Sequence, residues 1–135
     1  MKKSFAIVVV LTLAAACAVA QQVTTFTLRV HIPFDFVVRG DTMPAGDYTV
    51  QIPAQRPGPM MIGQSAGKKA EFVIQVPLSE TWTGRAQLTF HQLGGSYYLI
   101  KVSDPRVGVQ RVQQGERYKN ARKLASAQTV VIAAK

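Results

Sequence analysis

Hydrophobic and polar positions alternate along the stretch that begins at Thr25. Phe26, Leu28, Val30, Ile32, Phe34 and Phe36 interleave with Thr27, Arg29, His31, Pro33 and Asp35. Successive side chains of a β-strand point to opposite faces, so this pattern predicts a strand with one buried and one wet face. Pro33 has no N–H to give a sheet ladder, which places the strand at an edge or breaks it near Ile32. Val37 and Val38 extend the run, and Arg39-Gly40-Asp41 ends it. Pro44-Ala45-Gly46-Asp47 reads as a turn, followed by a second strand with Tyr48, Val50 and Ile52 on one face. Prolines at 53, 57 and 59 and Gly58 make a stiff loop. Met60–Ile62 and Glu71–Val76 predict two more strands, the second with Phe72, Ile74 and Val76 on one side.

The strongest hairpin signal is Gly94-Gly95, flanked by Arg85–Leu93 and Ser96–Ser103. Glycine at the first central position suits a two-residue type II′ turn, which sets Phe90 opposite Leu99 and His91 opposite Tyr98. A three-residue loop would shift that register by one. Asp104-Pro105 ends the strand, and Val107–Val112 adds a short one. Between Gln113 and Ser126 the period changes: Tyr118, Ala121 and Ala125 fall at i, i+3 and i+7 with charges between them. This predicts the single helix, weakly amphipathic. Gln128–Ala134 is β-prone again. Many short strands and one late helix give an all-β fold, a small antiparallel β-sandwich or partly open barrel with one late amphipathic helix. A transmembrane barrel needs strands of about 9 to 11 residues, and several runs here are too short for it.

The first 20 residues follow another pattern. Lys2 and Lys3 precede the apolar run Phe5–Leu13, and small residues lead to Ala18-Val19-Ala20. A basic start, an apolar middle and an A-x-A finish are the layout of a secretory signal peptide. The expected division is therefore a leader over 1–20 and one β-rich domain over 21–135, exported to the periplasm or beyond. Phe5–Ala20 is shorter than the roughly 20 residues a membrane-spanning helix needs. Cys17 after Ala14-Ala15-Ala16 offers a second processing route, a lipid-anchored protein, although Leu13 stands four places before it instead of three.

Cys17 is the sole cysteine in the chain, so the domain after the leader has no disulfide, thiol nucleophile or thiolate metal site. Sixteen Lys and Arg against seven Asp and Glu give a net charge of +9, and loss of Lys2 and Lys3 leaves +7. In an exported chain such charge meets lipid headgroups, lipopolysaccharide or acidic glycan and not nucleic acid; dispersed charge also serves solubility.

Three segments, HIPFDFVVRGDTMPAGDYTV, LTFHQLGGSYYLIKV and the helix region before TVVIAA, resemble a group of small exported bacterial proteins of unknown function. That group combines a V/I-P-F-x-F strand, a P-A-G-x-Y-x-V hairpin and an F-H-x-x-G-x-x-Y hairpin. The likeness covers most of residues 30–134, with Arg39-Gly40 standing where a glycine and a polar turn are usual. It implies a topology and an exported location, and no active site. PAGDYTV is also similar to strand-turn segments of transthyretin-like and other Ig-like modules, a likeness of fold alone.

The chemistry-bearing residues are sparse. His31 and His91 could join Asp35 around a metal only if their strands paired; otherwise both sit on solvent faces. No serine lies in a G-x-S-x-G elbow, and most of the seven acids flank turns. Gly63-Gln-Ser-Ala-Gly67-Lys68-Lys69 looks like a phosphate loop, but it is one residue short and no Ser or Thr follows the lysine. Trp82, Tyr97 and Tyr98 offer either a carbohydrate platform or hairpin packing. No cofactor motif is present. The densest charge is C-terminal: Arg106, Arg111, Arg117, Lys119, Arg122 and Lys123 share the span 106–123 with one acid, Glu116. These six are the candidate contacts to an anionic envelope surface; the bland alternative is a solvated helix face. The expected function is an exported, non-enzymatic binding or envelope-associated module. The alternatives are a secreted hydrolase-like enzyme with an unrecognised site, or a lipoprotein held by Cys17.

Overall fold

The structure, a computed structural model, describes residues 24–54, 59–67, 69–73, 75–77 and 80–135. The leader expected over 1–20, with Cys17, lies outside the described residues. The first sheet is built on β1 (Thr25–Ile32), which pairs antiparallel with β4 (Gly46–Pro53), Leu28 opposite Val50 and Val30 opposite Tyr48. β5 (Met60–Gln64) and β6 (Ala70–Val73) complete it in the order β1-β4-β5-β6. The second sheet runs β11 (Gln128–Ala133), β8 (Gln87–Leu93), β9 (Ser96–Asp104), β10 (Gly108–Val112), β7 (Gln75–Pro77). The hairpin of β2 (Phe36–Val38) and β3 (Asp41–Met43) adds to it, β2 lying parallel to β9. Neither sheet closes on itself. The fold is an all-β sandwich with one late helix, α1 (Glu116–Leu124).

Pro33 does both things its chemistry allows. β1 is an edge strand, and the chain leaves it after Ile32 to resume at Phe36 in the other sheet. Pro44-Ala45 is the return crossing, with Gly46 already opening β4. The two crossings are tied together: Asp35 Oδ1 accepts the Ala45 N–H at 2.8 Å, and the buried Tyr48 hydroxyl donates to the Pro44 carbonyl. The one strand expected over Glu71–Val76 is instead two, β6 in the first sheet and β7 in the second. A strand that changes sheet keeps its apolar spelling, so sequence does not mark the crossing. The side-chain directions expected for Phe72, Ile74 and Val76 lie outside the described residues.

Leu28, Val30, Ile32, Tyr48, Val50 and Ile52 face Phe36, Leu88, Phe90, Leu99 and Val102 across the sandwich, all at or below 3% exposure. Phe36 sets its ring edge-on to Tyr48 and Phe90, at 5.0 and 5.6 Å between centroids. Thr27, Arg29 and His31 are exposed, as their alternate positions predict. Phe26 and Phe34, expected inward, are half-buried at the margin; Phe34 stacks on Tyr97 at 3.8 Å.

The β8–β9 register is the one expected from the Gly-Gly loop, Phe90 opposite Leu99 and His91 opposite Tyr98. The turn type differs. Gly94 and Gly95 have φ of 55° and 84°, and positive φ at both central residues defines type I′, not II′. Type I′ matches strand twist, and two glycines enter it without Cβ strain. Farther along the hairpin Thr89 faces Lys101, so Ile100 is left unopposed as a bulge. Leu99 and Val102 point into the core, which leaves Tyr98, Ile100 and Lys101 for the outer face.

That outer face carries a second apolar cluster, Val37, Leu93, Tyr98 and Ile100, under α1. The helix rests on it through Tyr118, Ala121 and Ala125, the three positions its periodicity singles out. No residue of α1 is fully buried. Glu116 in the first turn and Arg122 and Lys123 in the last suit the helix dipole.

Candidate functional site

Beside α1, on the outer face of the second sheet, runs a groove of about 510 Å³ lined by His91, Ile100, Arg111, Gln113, Tyr118 and Lys119, among others. Three elements build it. β8 supplies His91, whose Nδ1 lies 2.9 Å from the Tyr118 hydroxyl of α1. β10 supplies Arg111, which stands directly opposite Lys101 of β9 in the ladder. Gln114 fixes the segment that leads into the helix, its Nε2 donating to the Leu99 and Val112 carbonyls at 2.8 and 2.9 Å.

The electrostatics of this face have one sign. Like charges directly opposite on neighbouring strands repel, and Lys101 and Arg111 are such a pair. Burial, with added repulsion from Arg122 and Lys101, holds the His91 imidazole below its ordinary value. Glu116 is the one acid that pairs with a groove residue, Lys119 Nζ, at 3.3 Å and with both groups exposed. Five of the other six acids are engaged elsewhere. Asp104 holds Arg106, Asp47 meets His31, Asp35 caps Ala45, and Glu71 shares a hydrogen bond with Asp41 that raises its carboxyl above the usual range.

Three of the six cations singled out from sequence fall on or beside the groove side of this face. At about 100° per helical residue, Arg122 and Lys119 follow Tyr118 around one flank of α1, while Lys123 turns to the side away from the sheet. Arg111 joins them from β10. Arg117 lies on the opposite flank, where its Nη1 donates to Thr42 Oγ1 of β3 at 3.1 Å. Arg106 does not join the group. Its guanidinium makes two bonds to the buried Asp104, at 2.8 and 3.0 Å, and lies 4.8 Å from the centre of the Phe26 ring. Lys101, His91 and Tyr118 complete the face but are not among the six. Following the ladder back across the Asp104-Pro105 break would place Lys101 opposite Arg111; the bulge that turns it outward has no sequence signature.

The remaining motifs resolve differently. His31 and His91 are on β1 and β8, in different sheets, so the pairing that would unite them with Asp35 does not occur. Among the described residues no three His, Cys, Asp or Glu side chains gather as a metal would require. His31 Nδ1 lies 2.8 Å from Asp47 Oδ1 on the first sheet, in a cleft of about 270 Å³ that Ser65 also lines. The Ser65 hydroxyl is 3.3 Å from Thr49 Oγ1. The Gly63–Lys69 segment joins two antiparallel strands, whereas a phosphate loop leads from a strand into a helix. Tyr97 and Tyr98 point to opposite faces of β9, and Trp82 donates to the Arg85 carbonyl at 2.9 Å. They share no platform.

No helix among the described residues is long and apolar enough to cross a membrane. No family model, curated protein or solved structure matches the chain.

Proposed function

We propose that the protein is an exported, non-enzymatic binding module that docks on an anionic envelope surface through the α1 face of its second sheet. One observation carries this reading: Lys101, Arg111, Lys119 and Arg122 converge on one face, two of them opposed in the ladder, with Glu116 the one acid paired among them. A basic face of this kind gains roughly 1 kcal/mol per Lys or Arg held near an anionic bilayer. Export rests on the leader pattern at 1–20, which places the start of the working chain at Gln21. Intact mass of the exported protein checks that start; a diacylated Cys17 at its N-terminus contradicts it.

Co-sedimentation with phosphatidylglycerol vesicles tests the docking. Binding is expected at low salt and should collapse by about 0.5 M, where the screening length falls below roughly 5 Å. Replacing Arg117, Lys119, Arg122 and Lys123 by Gln should weaken it at least about tenfold, since two of those charges, Lys119 and Arg122, stand on the groove flank. Equal binding by the wild type and this variant refutes the reading.

A hydrolase reading has one observation on its side, the His31–Asp47 pair in a cleft with Ser65. A serine nucleophile needs an imidazole nitrogen on its hydroxyl. Labelling of Ser65 by a fluorophosphonate, lost in His31→Gln, would favour that reading; an unlabelled protein removes it.

A further inference from the structure

We infer that the groove between α1 and the outer face of the second sheet is a specific site for a doubly charged phosphomonoester group, held by Arg111 and Lys101 with His91 and Tyr118 beside them. The inference rests on the docking reading above and names the group that the face selects.

The argument begins with the ladder. A monoanion placed between two opposed cations neutralises one of them and leaves the repulsion half answered. A dianion answers both, and Coulomb attraction scales with each charge. Arg111, which lines the groove, and Lys101, which stands outside that lining but close enough to act on His91, are opposed in register across β9 and β10. A phosphomonoester is predominantly dianionic at neutral pH, with a second pKa near 6. A phosphodiester headgroup carries one charge.

The polar lining is consistent with such a group. Arginine offers a planar fork of donors to phosphate oxygens, and lysine a point charge. The His91 ring is oriented by the 2.9 Å contact between its Nδ1 and the Tyr118 hydroxyl, so its other nitrogen is not needed to hold the ring. Ile100 gives the groove an apolar floor. A low-dielectric floor strengthens the charge contacts above it. At about 510 Å³ the groove has room for the phosphate and part of what carries it.

The groups that act on His91 come from three elements: Tyr118 and Arg122 from α1, Tyr98 and Lys101 from β9, and Arg111 of β10, which lines the same groove. None is an acid. Burial first, and then Arg122 and Lys101, favour the neutral imidazole, and a bound dianion opposes the cations' share of that effect. Occupancy should therefore draw a proton onto His91, giving a spectroscopic signature that non-specific charge on the outside of α1 would lack.

The test compares vesicles of matched total charge, one set doped with phosphatidic acid and the other with phosphatidylglycerol, using the full domain. The phosphomonoester vesicles should bind about tenfold more tightly. Arg111→Gln should bring that ratio near one, while Arg29→Gln, which removes a charge from the opposite sheet, should leave it unchanged. In parallel, inorganic phosphate is titrated while the His91 ring resonances are followed by NMR. Saturable shifts toward the imidazolium position, absent in Arg111→Gln, would show that the phosphate group alone suffices. A vesicle preference without those shifts would assign the site to the lipid-borne form. Equal binding to both vesicle types, with no response of His91 to phosphate, overturns the inference and leaves general docking intact. Binding to neither overturns the docking reading itself.

Discussion

His91 Nδ1 and the Tyr118 hydroxyl lie 2.9 Å apart, so a single hydrogen bond ties the middle of β8 to the first turn of α1. The helix has no fully buried residue and sits on the sheet through one tyrosine and two alanines. Tyr118→Phe keeps the ring against Tyr98, 5.4 Å between centroids, and deletes the bond. It should cost about 1 kcal/mol in chemical denaturation and speed amide exchange in α1 before the sheets. An unchanged midpoint and unchanged exchange would show that the bond does not anchor the helix.

The depressed His91 imidazole makes a prediction with a definite sign. Burial, then Arg122 and Lys101, favour the neutral ring in the folded protein. The unfolded chain therefore takes up a proton first as pH falls. The stability contributed by this group is complete above its ordinary value near 6.5 and is lost as pH falls through the lower folded value. His91→Gln should flatten the stability curve across that window. Parallel slopes for the two proteins there would contradict the assignment.

Sequence makes Asp104 part of a strand break and Arg106 a candidate surface contact; their geometry makes them a folding device. Asp104 is 1% exposed and accepts the Arg106 N–H at 2.7 Å as well as two guanidinium bonds. Those bonds hold its carboxyl below the usual range, against the effect of burial. Asp104→Asn should cost about 2 to 3 kcal/mol by thermal or urea unfolding, and Arg106→Gln a comparable amount, because it strands a buried carboxylate. With a folded value below the unfolded one, this contribution is present above about 3.9 and disappears as pH drops through the folded value. Arg106→Gln should leave vesicle binding near that of the wild type, which separates Arg106 from Arg111 and the helix cations.

Where period-two alternation runs unbroken, sequence locates the strands well. β1, β4 and β8 carry one inward residue in two, β9 does so only as far as its bulge at Ile100, and hairpin chemistry sets the β8–β9 register through Gly94-Gly95. The helix, too, was legible from Tyr118, Ala121 and Ala125. Sheet membership was not. Nothing in Phe26–Val38 announces that Pro33 moves the chain between layers, nor in Glu71–Val76 that one apolar run is shared by two sheets. The site was half legible. Arg111, Lys119 and Arg122 stand out by density alone, whereas Lys101 joins them through a bulge at Ile100. Arg106 looked equivalent to its neighbours because proximity along the chain does not reveal a local carboxylate partner.

The central claim is that the position of the charge, and not its total, makes the binding surface. Two triple variants of equal net charge test it most directly: Arg111, Lys119 and Arg122 to Gln on the α1 face, and Arg29, Arg85 and Lys135 to Gln elsewhere. Both are compared with the wild type for co-sedimentation with phosphatidic-acid vesicles at about 0.1 M salt, where charges act over roughly 10 Å. The first variant should lose about a hundredfold in affinity and the second at most a fewfold. Equal losses in the two variants would contradict the account and reduce the basic face to solvated charge on a β-sandwich.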